Sequence, residues 1–354
     1  MKEMHFHLTG GKPLGEIVAP LLAWYRKNAR VLPWRENTDP YRVWVSEIML
    51  QQTRVDTVIP YYNRFLQALP DLAALAAADP DRLLKLWEGL GYYSRVRNMQ
   101  RAAQQICQQN NGRFPQDFDA VRALPGIGDY TAGAICSIAF EARRAAVDGN
   151  VLRVISRLCA SNVALSDPAL KPAVTKALQE VYPEKHRGDF TQSLMELGAT
   201  ICLPNGEPLC DRCPLAALCA ARACGRPTEF PPPQIKRPRK KESYTVFLLR
   251  CGSKIALTRR EQPGVLHNMW QLPCAPGRLT PTEAAAELAR HGLSLSPECL
   301  CEKPPKKHIF THIEWQLFCY EASCQNPVPA FVWASPEDLA GHYSLPTAFR
   351  KLLP

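Results

Sequence analysis

Four cysteines fall in one short stretch, Cys202-Leu-Pro-Asn-Gly-Glu-Pro-Leu-Cys210-Asp-Arg-Cys213-Pro-Leu-Ala-Ala-Leu-Cys219, with gaps of seven, two and five residues. Four thiolates in one loop-rich segment are the donor set of a metal centre, either tetrahedral zinc or an iron–sulfur cluster. Spacing alone does not choose between them. Two carboxylates elsewhere are candidates for acid–base work. Glu47 is flanked by Trp44, Val45, Ile48, Met49 and Leu50. A carboxyl in that company is either a solvent-facing residue on an amphipathic helix, which the string alone favours, or a partly desolvated acid with a raised pKa. Asp148, in Val147-Asp148-Gly149-Asn150-Val151, precedes an apolar-periodic segment and reads as a helix N-cap. The helix dipole would keep it ionised, which also suits a group facing a developing positive charge.

These residues need rigid elements to hold them. Residues 14 to about 225 read as mostly helical, with apolar positions at three- and four-residue spacing, as in Val151, Val154, Ile155 and Leu158. Leu124-Pro125-Gly126-Ile127-Gly128-Asp129-Tyr130 joins two such patterns. Its glycines permit a tight turn with backbone N–H groups pointing outward at a helix N-terminus, an anion site suited to a DNA phosphate. The string resembles the helix-hairpin-helix motif, here over 122–136. Residues 226–241 are rich in proline and positive charge, as expected of a semi-extended linker. Beyond it, Tyr244–Arg250 and Ile309–Phe318 read as strands and 281–292 as a helix ending at a glycine, so residues 242–354 form an α+β domain.

Lys and Arg total 43 against 33 Asp and Glu among 354 residues, a net charge of +10. That balance favours a polyanionic partner, most simply nucleic acid. No apolar run approaches the roughly 20 residues that span a bilayer, and the first residues lack the apolar core of a secretory signal. Fourteen cysteines without export imply a reducing compartment, hence the cytoplasm.

Six strings occur in one order: Leu32-Pro-Trp34-Arg35, Ser46-Glu47-Ile-Met-Leu-Gln-Gln52-Thr53, Gly89-Leu-Gly-Tyr92-Tyr-Ser-Arg95, the hairpin, Val147-Asp148-Gly149-Asn150 and the cysteine loop. As a set they closely resemble the MutY adenine DNA glycosylases of the helix-hairpin-helix base-excision superfamily, over essentially the whole chain. The resemblance implies a mostly α glycosylase domain over 1–225 with a [4Fe-4S] cluster on Cys202, Cys210, Cys213 and Cys219. The Pro-rich basic linker and a Nudix-like domain over 242–354 follow. It also implies a monomeric bacterial enzyme, nucleoid-associated when on DNA, that excises adenine mispaired with 8-oxoguanine or guanine in double-stranded DNA. At the hairpin exit, where endonuclease III-like enzymes carry a lysine that forms a Schiff base, this chain has Tyr130, which cannot do that chemistry. A monofunctional glycosylase is implied.

By the same resemblance Glu47 protonates adenine at N7 and later helps activate water, Asp148 stabilises an oxocarbenium-like sugar, and Asn150 and Tyr130 position these groups. Trp34, Arg35 and Gln192 line the adenine pocket. Gln52 and Tyr92 enter the duplex beside the lesion, Thr53 and Arg95 lie in the same DNA-contacting strings, and Gly126 and Gly128 serve the phosphate turn. Phe310-Thr311-His312 matches the family's Phe-Ser-His element that reads 8-oxoguanine, with threonine for serine. The first cysteine gap is one residue longer than the family's usual six, an insertion that the turn-forming Pro204, Asn205, Gly206 and Pro208 can absorb. Glu283 and Glu287 lack the paired-glutamate ending of a working Nudix site, so recognition without hydrolysis is expected there. Two rival readings are an endonuclease III-type lyase, against which Tyr130 argues, and a non-enzymatic DNA-binding module, which would leave Glu47 and Asp148 unexplained.

Overall fold

The structure, a computed structural model, describes residues 6–233 and 238–353. Packing divides the chain into two units, one of residues 1–77 with 98–235, the other of residues 78–97 with 236–354.

The first unit is helical. It contains α1 Val18–Asn28, α2 Pro40–Leu50, α3 Val55–Ala68 and α4 Leu72–Ala77. The chain then runs through α5 Pro80–Leu86 and into α6 Ser94–Gln109, followed by α7 Phe118–Arg122, α8 Asp129–Phe140, α9 Gly149–Leu158, α10 Leu170–Val181 and α11 Arg187–Thr200. Sequence sets where α2 begins: the Asp39 carboxylate accepts from the Arg42 N–H at 2.9 Å, and Pro40 fills the first position with a preset φ. From Val43 to Met49 this helix is buried on all sides, Glu47 included. Helix α8 is equally apolar, buried from Thr131 to Ile138, and packs against both α2 and α11. In α9 the predicted stripe of Val151, Val154, Ile155 and Leu158 joins one core with Ile17, Leu21, Leu178, Phe190, Leu194 and Leu197. Cys202, Cys213 and Cys219 pack against that same core.

The second unit is a mixed sheet of β1 Lys240–Cys251, β2 Lys254–Arg259, β3 Trp270–Gln271, β4 Cys274–Pro276, β5 Cys301–Ile309, β6 Ile313–Ser323 and β7 Val332–Ala334. Its order is β3-β2-β1-β6-β5, with β4 also on β1 and β7 on β2; the β1–β6 pair is parallel. Both faces are covered, which is why Val246 to Leu249 reads as an unbroken apolar run. Val246 and Leu248 point into one core with Trp315, Leu345 and Phe349, while Phe247 and Leu249 point into the other with Ala284 and Leu288. The latter two lie on Pro281–Arg290, a helix opened by a Thr280–Glu283 capping box and followed by Gly292 at φ +80°.

Residues 78–97 belong to this unit through specific polar contacts. Arg259 donates to both oxygens of Asp81 at 2.7 Å, and Lys85 donates to the Leu339 carbonyl at 2.7 Å. The Leu345 N–H donates to Glu88 at 2.7 Å, and Arg97 to the His267 carbonyl at 2.7 Å.

Two expectations change. The strand anticipated across Ile309–Phe318 is broken: β5 ends at Ile309, β6 begins at Ile313, and the Phe310 N–H donates to the Ile313 carbonyl at 2.8 Å to close the turn. Apolar alternation runs on through this reversal without glycine or proline, so a period-2 pattern does not register it. The basic linker is folded at both ends. Phe230 is buried and its carbonyl accepts from Arg157 Nε at 2.9 Å, Lys240 and Lys241 open β1, and residues 234–237 lie outside the described residues. Among the described residues no helix is long and apolar enough to cross a membrane.

Candidate active site

A cavity of about 620 Å³ in the first unit is lined by Glu47, Tyr130, Asp148, Asn150, Trp34, Arg35 and Gln192, and also by Gln52 and Thr53. Glu47, which its own string places toward solvent, is only 6% exposed. The flanking apolar residues are buried with it because α8 and α3 cover α2. Burial pushes the Glu47 pKa up from 4.5 to about 7, with the Asp148 charge adding to the rise. The Tyr130 hydroxyl donates to Glu47 Oε2 at 2.7 Å, which opposes the rise without cancelling it. Tyr130 itself is held well above its ordinary pKa by burial and by the neighbouring carboxyls, so it stays a donor.

Asp148 is the N-cap of α9. Its Oδ1 accepts from the Val151 N–H at 2.8 Å and its Oδ2 from Asn150 Nδ2 at 2.8 Å. Two donors and the N-terminal end of α9 therefore face the Asp148 side chain. Behind it, Arg153 donates to Asn150 Oδ1 at 3.0 Å, to the Gly198 carbonyl at 2.9 Å and to the Cys202 carbonyl at 3.0 Å. One buried arginine thus ties the carboxylate's partner to the start of the cysteine loop.

Opposite, Trp34 is buried edge-on to Tyr62, with ring centroids 5.5 Å apart. Arg35 donates to Gln192 Oε1 at 3.2 Å and to Glu196 Oε2 at 2.8 Å, and Arg30 donates to the two Glu196 oxygens at 2.7 and 2.9 Å. Because Arg35 occupies Oε1, the Gln192 NH₂ group is left as the donor toward the cavity. Burial works to raise the Glu196 pKa, but the two arginines outweigh it and hold the acid below its ordinary range. The motif reading missed Glu196, Met195, Arg30 and Arg153. A helical signal for the first two was present, since 192, 195 and 196 fall on one face of α11.

The hairpin turn lies outside this cavity. Gly126 sits at φ +77°, and a Cβ there would stand 2.6 Å from the Asn98 Cβ, so backbone and space both demand glycine. Gly128 is ordinary extended backbone with open space around it. As the N-cap of α8 it offers no side-chain acceptor, which leaves the first-turn N–H groups for an external anion.

Apart from the cysteines, the remaining predicted residues lie in the second unit. Tyr92 is 46% exposed at φ +47°, whereas Tyr93 is core. The Tyr92 hydroxyl is hydrogen-bonded to Thr311 Oγ1. Arg95 stands between the Tyr92 and Trp87 rings at 5.3 and 5.4 Å and donates to the Leu90 and Gly91 carbonyls at 3.2 Å. Phe310 packs edge-on against Trp315 at 4.8 Å, which leaves Thr311 and His312 exposed at the tip of the β5–β6 turn. Glu283 is engaged in the capping box, and Glu287 pairs with Arg290 at 2.6 Å and His291 at 3.7 Å.

Cys202, Cys210, Cys213 and Cys219 open onto one small cavity, while Cys224 points elsewhere and donates to the Ala221 carbonyl. Arg157 donates to Cys202 Sγ at 3.3 Å and to the Leu203 carbonyl at 2.8 Å. Burial pushes the Cys213 thiol up to about 12 and raises Cys210 and Cys219 as well. Deprotonating these three thiols together requires a cation among them, so the donor set fits a thiolate-held metal centre. Among the described residues, however, no three Cys, His, Asp or Glu side chains are already drawn into a ligand set.

Residues 45–184 match the HhH-GPD superfamily base excision DNA repair proteins, and residues 245–354 match the NUDIX domain. The adenine DNA glycosylase of Homo sapiens is 33% identical over 90% of this chain and 70% of its own length. That of Buchnera aphidicola subsp. Baizongia pistaciae is 36% identical over 72% of each. A thermostable thymine-DNA glycosylase structure superposes with a TM-score of 0.54 at 27% identity, covering 59% of this chain and 96% of that one. A trapped endonuclease III–DNA covalent intermediate, at 24% identity and a TM-score of 0.50 over 60% of this chain and 98% of that one, shares the fold. With these relatives spanning both units and the repair-family match lying across the cavity that holds Glu47, Tyr130 and Asp148, the chain belongs to the adenine DNA glycosylase family of base excision repair enzymes.

Proposed function

We propose that this glycosylase hydrolyses the N-glycosidic bond of adenine paired with 8-oxoguanine or guanine in double-stranded DNA and leaves the backbone intact. The observation that supports it best is a pair of carboxyls in one cavity with opposite environments. Glu47 is desolvated, with a pKa of about 7, and Asp148 is held by two donors at a helix N-terminus.

The target adenine is flipped out of the stack into the cavity. Glu47 Oε2 already accepts from Tyr130, so the acid's own proton sits on Oε1, from which it passes to adenine N7. As the bond to the sugar lengthens, positive charge grows on the ring, and the Asp148 carboxylate stabilises it. Asn150 keeps that carboxylate oriented, and Glu47, now ionised, takes a proton from the attacking water. Trp34, Arg35 and Gln192 frame the base, with the Gln192 NH₂ donating to a ring nitrogen. No lysine stands at the hairpin exit, so the reaction ends at the abasic site.

Gln52, Thr53, Tyr92 and Arg95 serve the distorted duplex, the Gly126–Gly128 turn binds a backbone phosphate, and Phe310, Thr311 and His312 read 8-oxoguanine. Cys202, Cys210, Cys213 and Cys219 would hold a [4Fe-4S] cluster, whose part is to shape the loop that follows α11. The enzyme acts as a monomer in the bacterial cytoplasm, on the nucleoid.

The test is single-turnover adenine release from duplexes carrying A opposite 8-oxoguanine, G or T. Release should be fastest opposite 8-oxoguanine, slower opposite G and least opposite T. Equal release from all three would overturn the mispair assignment, and a borohydride-trappable adduct would overturn the monofunctional one.

A further inference from the structure

The turn at 310–312 is set among cations from three segments of the second unit. The Lys240 N–H donates to the His312 carbonyl at 3.0 Å, so the start of β1 abuts the turn. Register then places Lys241 beside Glu314, and on the other side of β6 the end of β5 places Ile309 opposite Glu314, Lys307 opposite Gln316 and Lys306 opposite Leu317. From the C-terminal segment, Lys351 Nζ donates to the Lys307 carbonyl.

Acids neutralise only part of this group. Glu242 pairs with Lys240 at 2.9 Å and Glu314 with Lys307 at 2.8 Å. Among the described residues Arg239, Lys241, Lys306 and Lys351 have no ion-pair partner; the first three are exposed and Lys351 is half-buried. Glu314 is held below its ordinary pKa first by Lys307 and then by Lys241 and Arg239, so one carboxylate lies in the field of three cations. Lys351 is pushed down by burial and by Lys306, the sign of like charges gathered together.

β5 is an edge strand, but it is poorly made for adding a further strand. Pro304 and Pro305 fall at its bulge between Lys303 and Lys306 and remove two backbone donors. Charge, not backbone pairing, is what this edge presents.

We propose that Arg239, Lys241, Lys306 and Lys351 form a phosphate-binding strip for the DNA strand whose base meets the 310–312 turn. The inference rests on the reading that this turn faces the strand opposite the target adenine. The cations flank the turn from both neighbouring strands, so the nucleotides on either side of the recognised base are the ones whose phosphates they hold. Such contacts carry no sequence information; they fix register and add a salt-dependent term to affinity.

The experiment is equilibrium binding of the full chain to an A:8-oxoguanine duplex between 50 and 200 mM salt, in a Glu47→Gln background that prevents turnover. Each lost phosphate contact should flatten the log–log salt slope by about 0.9, so Lys241→Gln with Lys306→Gln should flatten it by about 1.8. The affinity lost across that salt range should then shrink by about 12-fold. Lys171→Gln with Lys176→Gln, on α10, removes the same charge elsewhere and should leave the slope unchanged. With Glu47 intact, single-turnover adenine release at saturating enzyme should be unaffected by the Lys171/Lys176 pair. A slope equal to the parent's, or an equal loss from the α10 pair, would overturn the strip. A chain with Glu47 intact that releases no adenine, with the slope still flattened in the Glu47→Gln background, would sink the reaction assignment and leave the strip standing.

Discussion

Replacing Glu47 with glutamine should make the protein more stable at alkaline pH while abolishing its chemistry. Burial raises this carboxyl from 4.5 to about 7. At about 1.4 kcal/mol per pH unit, that difference corresponds to about 3–4 kcal/mol. A carboxyl with a raised folded-state pKa leaves stability intact below the unfolded value and lowers it as pH rises toward the folded one. At pH 5 about a quarter of the cost is present; by pH 8 it is nearly complete. Glutamine keeps the volume, never ionises, and its amide oxygen can still accept from the Tyr130 hydroxyl, which bonds Glu47 Oε2 at 2.7 Å. The variant should therefore gain about 2–3 kcal/mol over the parent between pH 5 and pH 8, read from urea midpoints at the two pH values. Below about pH 7, where the parent's acid is protonated, single-turnover adenine release should fall by roughly 10²–10⁴-fold in the variant, the usual weight of a positioned acid. In the parent, the rate should decline about tenfold per pH unit once the pH passes about 7. A stability difference that does not change between pH 5 and pH 8 would refute the desolvation argument. Near-normal release from the variant would refute the assignment of the acid.

The two hairpin glycines should respond unequally. Gly126→Ala meets a left-handed φ and a Cβ 2.6 Å from that of Asn98, for a loss of about 2–4 kcal/mol and weaker DNA binding, whereas Gly128→Ala, with nothing within 4 Å, should cost under about 1 kcal/mol. Equal thermal shifts from the two variants would contradict this account of the turn. The purified protein should be brown and carry about four irons per chain, lost on Cys213→Ser; a colourless protein containing zinc would exclude the cluster.

What the sequence determined by itself was local. Asp39 and Asp148 as N-caps, Gly126 at a left-handed turn and the cysteine run are all encoded within a few residues, where backbone sterics and short-range hydrogen bonds decide the outcome. Taken as an ordered set, the strings also pointed to the repair family that the relatives bear out. The state of Glu47 was not legible, because its string fits an exposed acid as well as a buried one, and only the closure of α8 over α2 removes it from water. The Glu196 fork joins residues 161 and 166 positions apart, and no spacing rule carries that far. The break at 310–312 and the placement of 78–97 in the second unit were hidden for a related reason. Alternation survives a reversal of the chain, and the contacts of Asp81, Lys85, Glu88 and Arg97 are made with partners about 170 or more residues away. Sequence fixes caps, turns and periodicity. Desolvation and long-range pairing, which give these carboxyls their chemistry, exist only once the elements have packed.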